Sequence, residues 1–291
     1  MPVGMLIDTT MCIGCRGCQA ACKRWNMLPT RNSQIAFSPD MTNPPKLNAN
    51  NYNILRFFEL ENSNNELSWH FVHKRCFHCY SPVCVSVCPV GALNKLENGA
   101  VIWDESQCFA CRYCQNACPF QIPKFQYDSN WGKIEKCNFC WNRIGSKEAG
   151  NDLNMQPACA TTCPVGAIKF GQRADLIEEA YDRIRHNPER YVSYVYGEHE
   201  VGGTAVVYLM SVDYEKLGFP TVGKEMYPQW THEFLARIPV EVAAIICLLL
   251  AIWYWRKTRI EKKAEESAAI NTATLQDKEE TDSKKSKGEE K

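Results

Sequence analysis

CFACRYCQNACP, residues Cys108 to Pro119, decides how this chain is read. Three cysteines stand at three-residue spacing, a fourth follows after three residues, and a proline closes the run. Thiolates are soft ligands that suit zinc and iron-sulfur clusters alike. A structural zinc takes four tetrahedral ligands, usually as two CxxC pairs brought together from a distance. The CxxCxxCxxxCP order instead lets one loop wrap three corners of a cubane, and it is the bacterial signature of [4Fe-4S] binding. In that signature the fourth cysteine ligates the other cluster of a two-cluster unit.

The chain holds 17 cysteines in 291 residues, and all but Cys247 fall into four runs. They are Cys12, Cys15, Cys18, Cys22; Cys76, Cys79, Cys84, Cys88; Cys108, Cys111, Cys114, Cys118; and Cys137, Cys140, Cys159, Cys163. The runs are an internal repeat: CPVGAL at Cys88 recurs as CPVGAI at Cys163. The second run opens one gap to four residues and the fourth opens it to eighteen, and lysine stands in place of proline after Cys22. A disulfide scaffold is the bland alternative, but such chains are short and secreted. CNFC and ACATTC of run four, taken alone, would pass for a zinc site. Sixteen ligands in this repeat predict four [4Fe-4S] clusters.

Short apolar pieces flank the runs: Met5 to Ile7 before the first, Trp69 to Val72 before the second, Ala167 to Phe170 after the fourth. Asn98-Gly99 between apolar ends predicts a hairpin between runs two and three. Leu176, Ile177, Ala180, Tyr181 and Ile184 have helical spacing that ends at Pro188, and TAVVYLMS, from Thr204 to Ser211, reads as a strand. Arg24 to Ser68, rich in asparagine, reads as a long surface excursion. A two-cluster ferredoxin has a strand entering its first run, a hairpin between runs and a closing strand. SWHFV, the Asn-Gly hairpin and PKFQY give runs two and three all of these. The strand before run one then needs a mate after run four, so runs one and four pair and the inner unit is inserted between them. The expected ligand sets are Cys12, Cys15, Cys18 with Cys163 (A); Cys137, Cys140, Cys159 with Cys22 (B); Cys76, Cys79, Cys84 with Cys118 (C); and Cys108, Cys111, Cys114 with Cys88 (D). The expected fold is α+β, two nested bacterial-ferredoxin-like units over residues 1–230 with the inner one at about 69–128.

Ile238 to Trp255 reads IPVEVAAIICLLLAIWYW, eighteen residues. At helical rise this is roughly 27 Å, enough to cross a bilayer core. A membrane anchor is expected over 231–256 and a disordered charged tail over 257–291. Five basic residues between Arg256 and Lys263 predict a cytoplasmic tail, hence an inner-membrane, single-pass chain with its iron-sulfur body on the periplasmic side. MPVGMLIDTT carries no charged leader, apolar h-region or twin arginine, so a partner is expected to carry the body across. The formal net charge of zero gives no field for nucleic acid.

LIDTTMCIGCRGCQAACKRWN, VCVSVCPVGAL, CRYCQNACPFQIPKF, PACATTCPVGAIKFG and YGEHEVGGTAVVYL together resemble the four-cluster iron-sulfur subunits of membrane-bound oxidoreductases. These partner molybdopterin enzymes of the DMSO reductase family and some nickel-iron hydrogenases. Trp25 and Asn26 after Cys22 look most like the respiratory formate dehydrogenase subunit, and YVYGEHEVGGTAVVYLMSVDYEKLGFP is similar to the hydrogenase counterpart. The resemblance implies the same nesting, a catalytic molybdopterin or nickel-iron partner, a membrane cytochrome b or quinone-reactive partner, an anchor in the lipid bilayer, and export on the catalytic subunit's twin-arginine signal. No paired general acid and base and no nucleophile motif stand in the chain, and GEHEVGG opens no helix in the manner of a nucleotide loop. An electron-transfer subunit, not catalytic alone, is therefore expected. A redox sensor is disfavoured because it needs one labile cluster. Lys136, Arg112 and Arg16 are candidates for raising cluster potentials. His70, His73 and His78 read as solvated or core residues, Trp103, Trp131 and Trp141 as cluster-shielding core, and Cys247 as apolar packing.

Overall fold

β1 (Val3–Asp8) is the middle strand of a three-stranded sheet, antiparallel to β8 (Ile168–Gln172) and parallel to β9 (Val206–Leu209). The computed structural model describes residues 3–29, 41–61, 65–127, 132–144 and 155–286, with backbone alone for 230–236, 266 and 268–286. The register places Met5 opposite Phe170 and Ile7 opposite Ile168, so the strand entering run one is mated with the strand leaving run four. Both faces of the sheet are covered. Met5, Ile7 and Tyr208 pack with Ile54, Val72 and Phe77 on one side, and Leu6, Val207 and Leu209 with Leu176 and Ala180 of α5 (Arg173–His186) on the other. Burial on both faces is why VVYL of β9 is apolar without alternation.

Asp8 ends β1 and is 1% exposed. Its Oδ1 accepts from Thr10 N (2.9 Å) and Thr10 Oγ1 (2.7 Å), and its Oδ2 from Arg183 Nη1 of α5 (2.6 Å) and Tyr191 OH (3.0 Å). The strand that leads into run one is thus fastened to the helix that follows run four.

Each run sends its third cysteine into the second position of a short helix: Cys18 in α1 (Gly17–Trp25), Cys84 in α2 (Val83–Ser86), Cys114 in α3 (Tyr113–Ala117) and Cys159 in α4 (Ala158–Thr161). Where only two residues separate the second and third cysteines, the helix is entered through a left-handed residue, Arg16 (φ 60°) or Arg112 (φ 66°). Where the gap is longer, Pro82 and Pro157 lead in through extended backbone. α1 packs on α4 and α2 on α3. The hairpin of β4 (Leu93–Lys95) and β5 (Val101–Trp103) turns at Asn98-Gly99, where Gly99 has φ 95°.

Two expectations are corrected. The Arg24 to Ser68 segment is not merely a surface excursion: it contains β2 (Ile54–Glu61), whose Ile54, Leu55 and Phe57 are buried. β2, not PKFQY, is the partner of β3 (Leu67–Lys74), over eight registered pairs. PKFQY supplies only β6 (Lys124–Phe125), which pairs with β7 (Ile134–Glu135). A two-residue strand offers β3 few ladder bonds, whereas β2 adds Phe57 in edge contact with Phe71 (5.0 Å) and Trp69 (6.4 Å).

The chain divides into Met1–Gln229 and Trp230–Lys291. The second unit lies on α6 (Tyr227–Ser286), of which Arg237–Glu265 is long and apolar enough to cross a membrane, its most apolar 18-residue window having mean hydropathy 2.1. Its large apolar side chains, among them Leu248, Leu249, Ile252 and Trp253, are exposed. The helix continues to Ser286, where composition predicted no ordered structure. That segment is rich in Ala, Glu and Lys, which favour helix without needing a packed face, and Lys257 pairs with Glu261 one turn on (3.9 Å).

Candidate iron-sulfur centres

Burial and mutual proximity divide the sixteen clustered thiols into four neighbourhoods. Burial pushes the Cys12 thiol up, with Cys163 and Cys15 the adjacent like charges. Cys18, pushed up to about 12 by burial, has Cys12 and Cys15 beside it and also Cys159. Cys22 is raised by burial and by Cys137, Cys159 and Cys140. Cys79 is raised by burial and by Cys76, Cys118 and Cys84. Cys114 is pushed up to about 12 by burial and by Cys108, Cys111 and Cys88. The structure therefore brings together Cys12, Cys15, Cys18 and Cys163; Cys22, Cys137, Cys140 and Cys159; Cys76, Cys79, Cys84 and Cys118; and Cys88, Cys108, Cys111 and Cys114. Cys247 stands apart on α6, exposed.

The surroundings of these thiols fit an anionic, multi-iron group. Crowded buried thiols hold their protons at neutral pH unless a cation replaces them. Among the described residues no three or more His, Cys, Asp and Glu side chains are placed to hold a single metal ion, as a zinc would require. A cubane holds its thiolates further apart. Most telling are two buried cations. Arg75, 2% exposed, donates from Nη1 to Cys159 Sγ (2.9 Å) and from Nη2 to Cys137 Sγ (3.2 Å). Lys136, 1% exposed, donates to Cys137 O (3.0 Å) and Val101 O and lies 4.0 Å from Cys76 Sγ. Among the described residues neither has a carboxylate partner. Buried charge requires buried counter-charge, and ligated thiolates supply it.

Hydrogen bonds and ring contacts complete the sulfur environment. His73, 2% exposed, has Nδ1 3.5 Å from Cys18 Sγ and Nε2 3.9 Å from Cys12 Sγ. Burial, with Arg75 nearby, holds its pKa down to about 3, so the ring is neutral and offers one N–H. Asn26 Nδ2 donates to Cys22 O (2.8 Å) and reaches Cys22 Sγ (3.6 Å), and its Oδ1 accepts from Asn138 Nδ2 (3.0 Å). His78 accepts at Nδ1 from Val101 N (3.0 Å), which leaves the proton on Nε2, and its ring lies 4.5 Å from that of Phe139. His70 is half-buried. Trp103 and Trp141 pack half-buried against the thiol-bearing cores, and Trp131 lies outside the described residues.

Of the three cations singled out from sequence, only Lys136 turns toward sulfur. Arg16 stacks on Phe57 (4.7 Å) and donates to Met41 O, and Arg112 stacks on Phe125 (4.1 Å) and Tyr127 (5.3 Å). Arg75 and the sulfur contacts of His73 and Asn26 escaped the sequence. The signal for Arg75 was its place directly before Cys76.

Paired cysteine runs on short helices, closed by returning fourth cysteines, define a ferredoxin-type iron-sulfur protein. Two family models, both described as a 4Fe-4S dicluster domain, match residues 11–92 and 67–173. Hydrogenase-2 operon protein HybA of Escherichia coli O157:H7 is 35% identical over 244 residues, 75% of this chain and 73% of that one. The iron-sulfur subunit of nitrate-inducible formate dehydrogenase of Escherichia coli K12 is 36% identical over 211 residues, 72% of this chain and 68% of that one. A Nitratidesulfovibrio vulgaris protein is 35% identical over 284 residues, 97% of this chain and 74% of that one. The chain belongs to the 4Fe-4S dicluster iron-sulfur subunits, the family of the formate dehydrogenase iron-sulfur subunits and HybA.

Proposed function

We propose that this chain is the electron-transfer subunit of a membrane-bound oxidoreductase complex. It relays electrons through four [4Fe-4S] clusters from a catalytic subunit to a membrane cytochrome b or quinone-reactive subunit. The carrying observation is that neighbouring thiol groups lie within electrostatic reach of one another in series: Cys18 of Cys159 (A to B), Cys76 of Cys137 (B to C), and Cys84 of Cys114 (C to D). The mating of β1 with β8 outside the β4–β5 hairpin supports the nested arrangement and ligand sets A to D. When bound, a [4Fe-4S] cluster supplies one-electron exchange at a potential set by hydrogen bonds, charge and solvent access. The chain's own residues hold the sulfurs, exclude water and set those terms.

A molybdopterin formate dehydrogenase is the favoured catalytic partner, on Trp25 and Asn26 after Cys22, with Asn26 bonded to that cysteine. A nickel-iron hydrogenase is the second reading, favoured by the longer alignment with HybA, 244 residues against 211. α6 is proposed as a single-pass inner-membrane anchor, its Arg256 to Lys263 end cytoplasmic and the cysteine-rich unit periplasmic.

Metal analysis of the complex purified through this subunit tests the reading. About sixteen irons per chain are expected, with molybdenum for the first partner or nickel for the second, and a mainly zinc content refutes it. Cys163→Ser is expected to remove the group A signal first. Loss of a group C or D signal with group A intact refutes the nesting. Protease added outside sealed right-side-out vesicles is expected to spare the tail, and its digestion there refutes the topology.

A further inference from the structure

Arg75 and Lys136 are crossed. Arg75 is bonded in sequence to Cys76 of group C, yet its guanidinium donates to Cys137 and Cys159 of group B at 3.2 and 2.9 Å. Lys136 is bonded in sequence to Cys137 of group B, yet its Nζ lies 4.0 Å from Cys76 of group C. These two dipeptides meet where the inner and outer units join.

We propose that Arg75 and Lys136 are positioning residues that raise the reduction potentials of the two middle clusters, each acting across the junction on the group held by its partner's neighbour. The inference rests on the four-cluster reading above. A guanidinium stays protonated in a protein interior, and among the described residues Arg75 Nε has no partner, so the polar contacts of the guanidinium there are the two thiol sulfurs and Met5 Sδ (3.0 Å). Lys136 spends two donors on Val101 O and Cys137 O, which fix Nζ in the junction. Reduction adds one electron to a cluster and spreads its charge onto the thiolate sulfurs. Donors and positive charge beside those sulfurs favour the reduced form. No proton moves and no bond breaks. With these charges in place the clusters of B, faced by Arg75, and C, faced by Lys136, are easier to reduce than they would be without them.

A purely structural role for either residue predicts a loss of iron without a change in potential. The test is a redox titration of the full complex followed by electron paramagnetic resonance, with iron counted in each variant. Arg75→Met is expected to keep about sixteen irons and to weaken reduction of one cluster at least tenfold, which is 59 mV for one electron. Lys136→Met is expected to do the same to a different cluster, and Arg75→Lys to restore part of the Arg75→Met loss. Where a Met variant loses iron, Arg75→Gln and Lys136→Gln, which keep a donor and drop the charge, carry the same expectation. Unchanged potentials at full iron content overturn the proposal, as does a shift of one and the same cluster by both residues. A native iron content well below sixteen refutes the four-cluster reading instead.

Discussion

Removing the Arg183 guanidinium should loosen the first cysteine run without touching a cysteine. Arg183 lies on α5 and reaches Asp8, four residues before Cys12. The Asp8 side chain is 1% exposed and that of Arg183 18%, so Arg183→Met leaves a buried carboxylate without its cation. Breaking a buried pair from one side costs about 3–5 kcal/mol. Three neutral donors remain on Asp8, from Thr10 N, Thr10 Oγ1 and Tyr191 OH, and the Arg183 side is open enough to admit water. Both push the cost to the low end, about 3 kcal/mol, or on the order of a hundredfold in the local opening equilibrium. The assay is iron release to excess chelator, with electron paramagnetic resonance reporting which signal fades first. Release should quicken by up to that factor, and the group A signal should fade before the others. Pairing Arg183→Met with Asp8→Asn should recover most of the loss, because no charge is then buried alone. Native release rates in Arg183→Met, or a double variant worse than the single one, would refute this reasoning.

Two further substitutions probe the ligand loops. Gly14 sits between Cys12 and Cys15 at φ 69°, and a Cβ there would lie 3.0 Å from the Phe71 ring. Gly14→Ala therefore adds left-handed strain of about 1–2 kcal/mol and displaces Phe71, so iron occupancy of the group A site should fall; full occupancy with native release kinetics would count against the loop geometry. Asn26→Leu removes a neutral donor from Cys22 Sγ and O. At about 1 kcal/mol for such a bond, a redox titration should show the group B potential falling by less than a tenfold shift in equilibrium, and a rise would contradict the assigned contact.

Local chemistry made much of this molecule legible before any coordinates. Helix α5 matches the spacing of Leu176, Ala180 and Ile184, the Asn98-Gly99 hairpin forms between β4 and β5, and β9 lies within TAVVYLMS. Each depends on residues close in sequence, where periodicity and turn chemistry act directly. The partner of β3 was not legible. A strand's mate is chosen by the length and side-chain fit of the whole ladder, and the ILRFFELE stretch that wins lies in asparagine-rich surroundings that read as loop. Helix beyond Trp255 was missed for the opposite reason, since good helix formers need no apolar stripe to coil.

The cations show why adjacency to a ligand is a poor guide to its cluster. A ligand loop turns its cysteine inward at nearly every step, through left-handed positions such as Arg16, His78 and Phe139, and the flanking side chain must leave in another direction. On the outer rim that direction ends on an aromatic ring, Phe57 for Arg16 and Phe125 for Arg112. Between the runs it ends on the sulfurs of another run, as for Arg75 and Lys136. A basic residue beside a cysteine thus tunes that cysteine's own cluster only where the loop doubles back. Where the Arg75-Cys76 and Lys136-Cys137 dipeptides meet, the charge reaches sulfurs of a different cysteine run, so on the proposed nesting the tuning of the middle clusters depends on both units together.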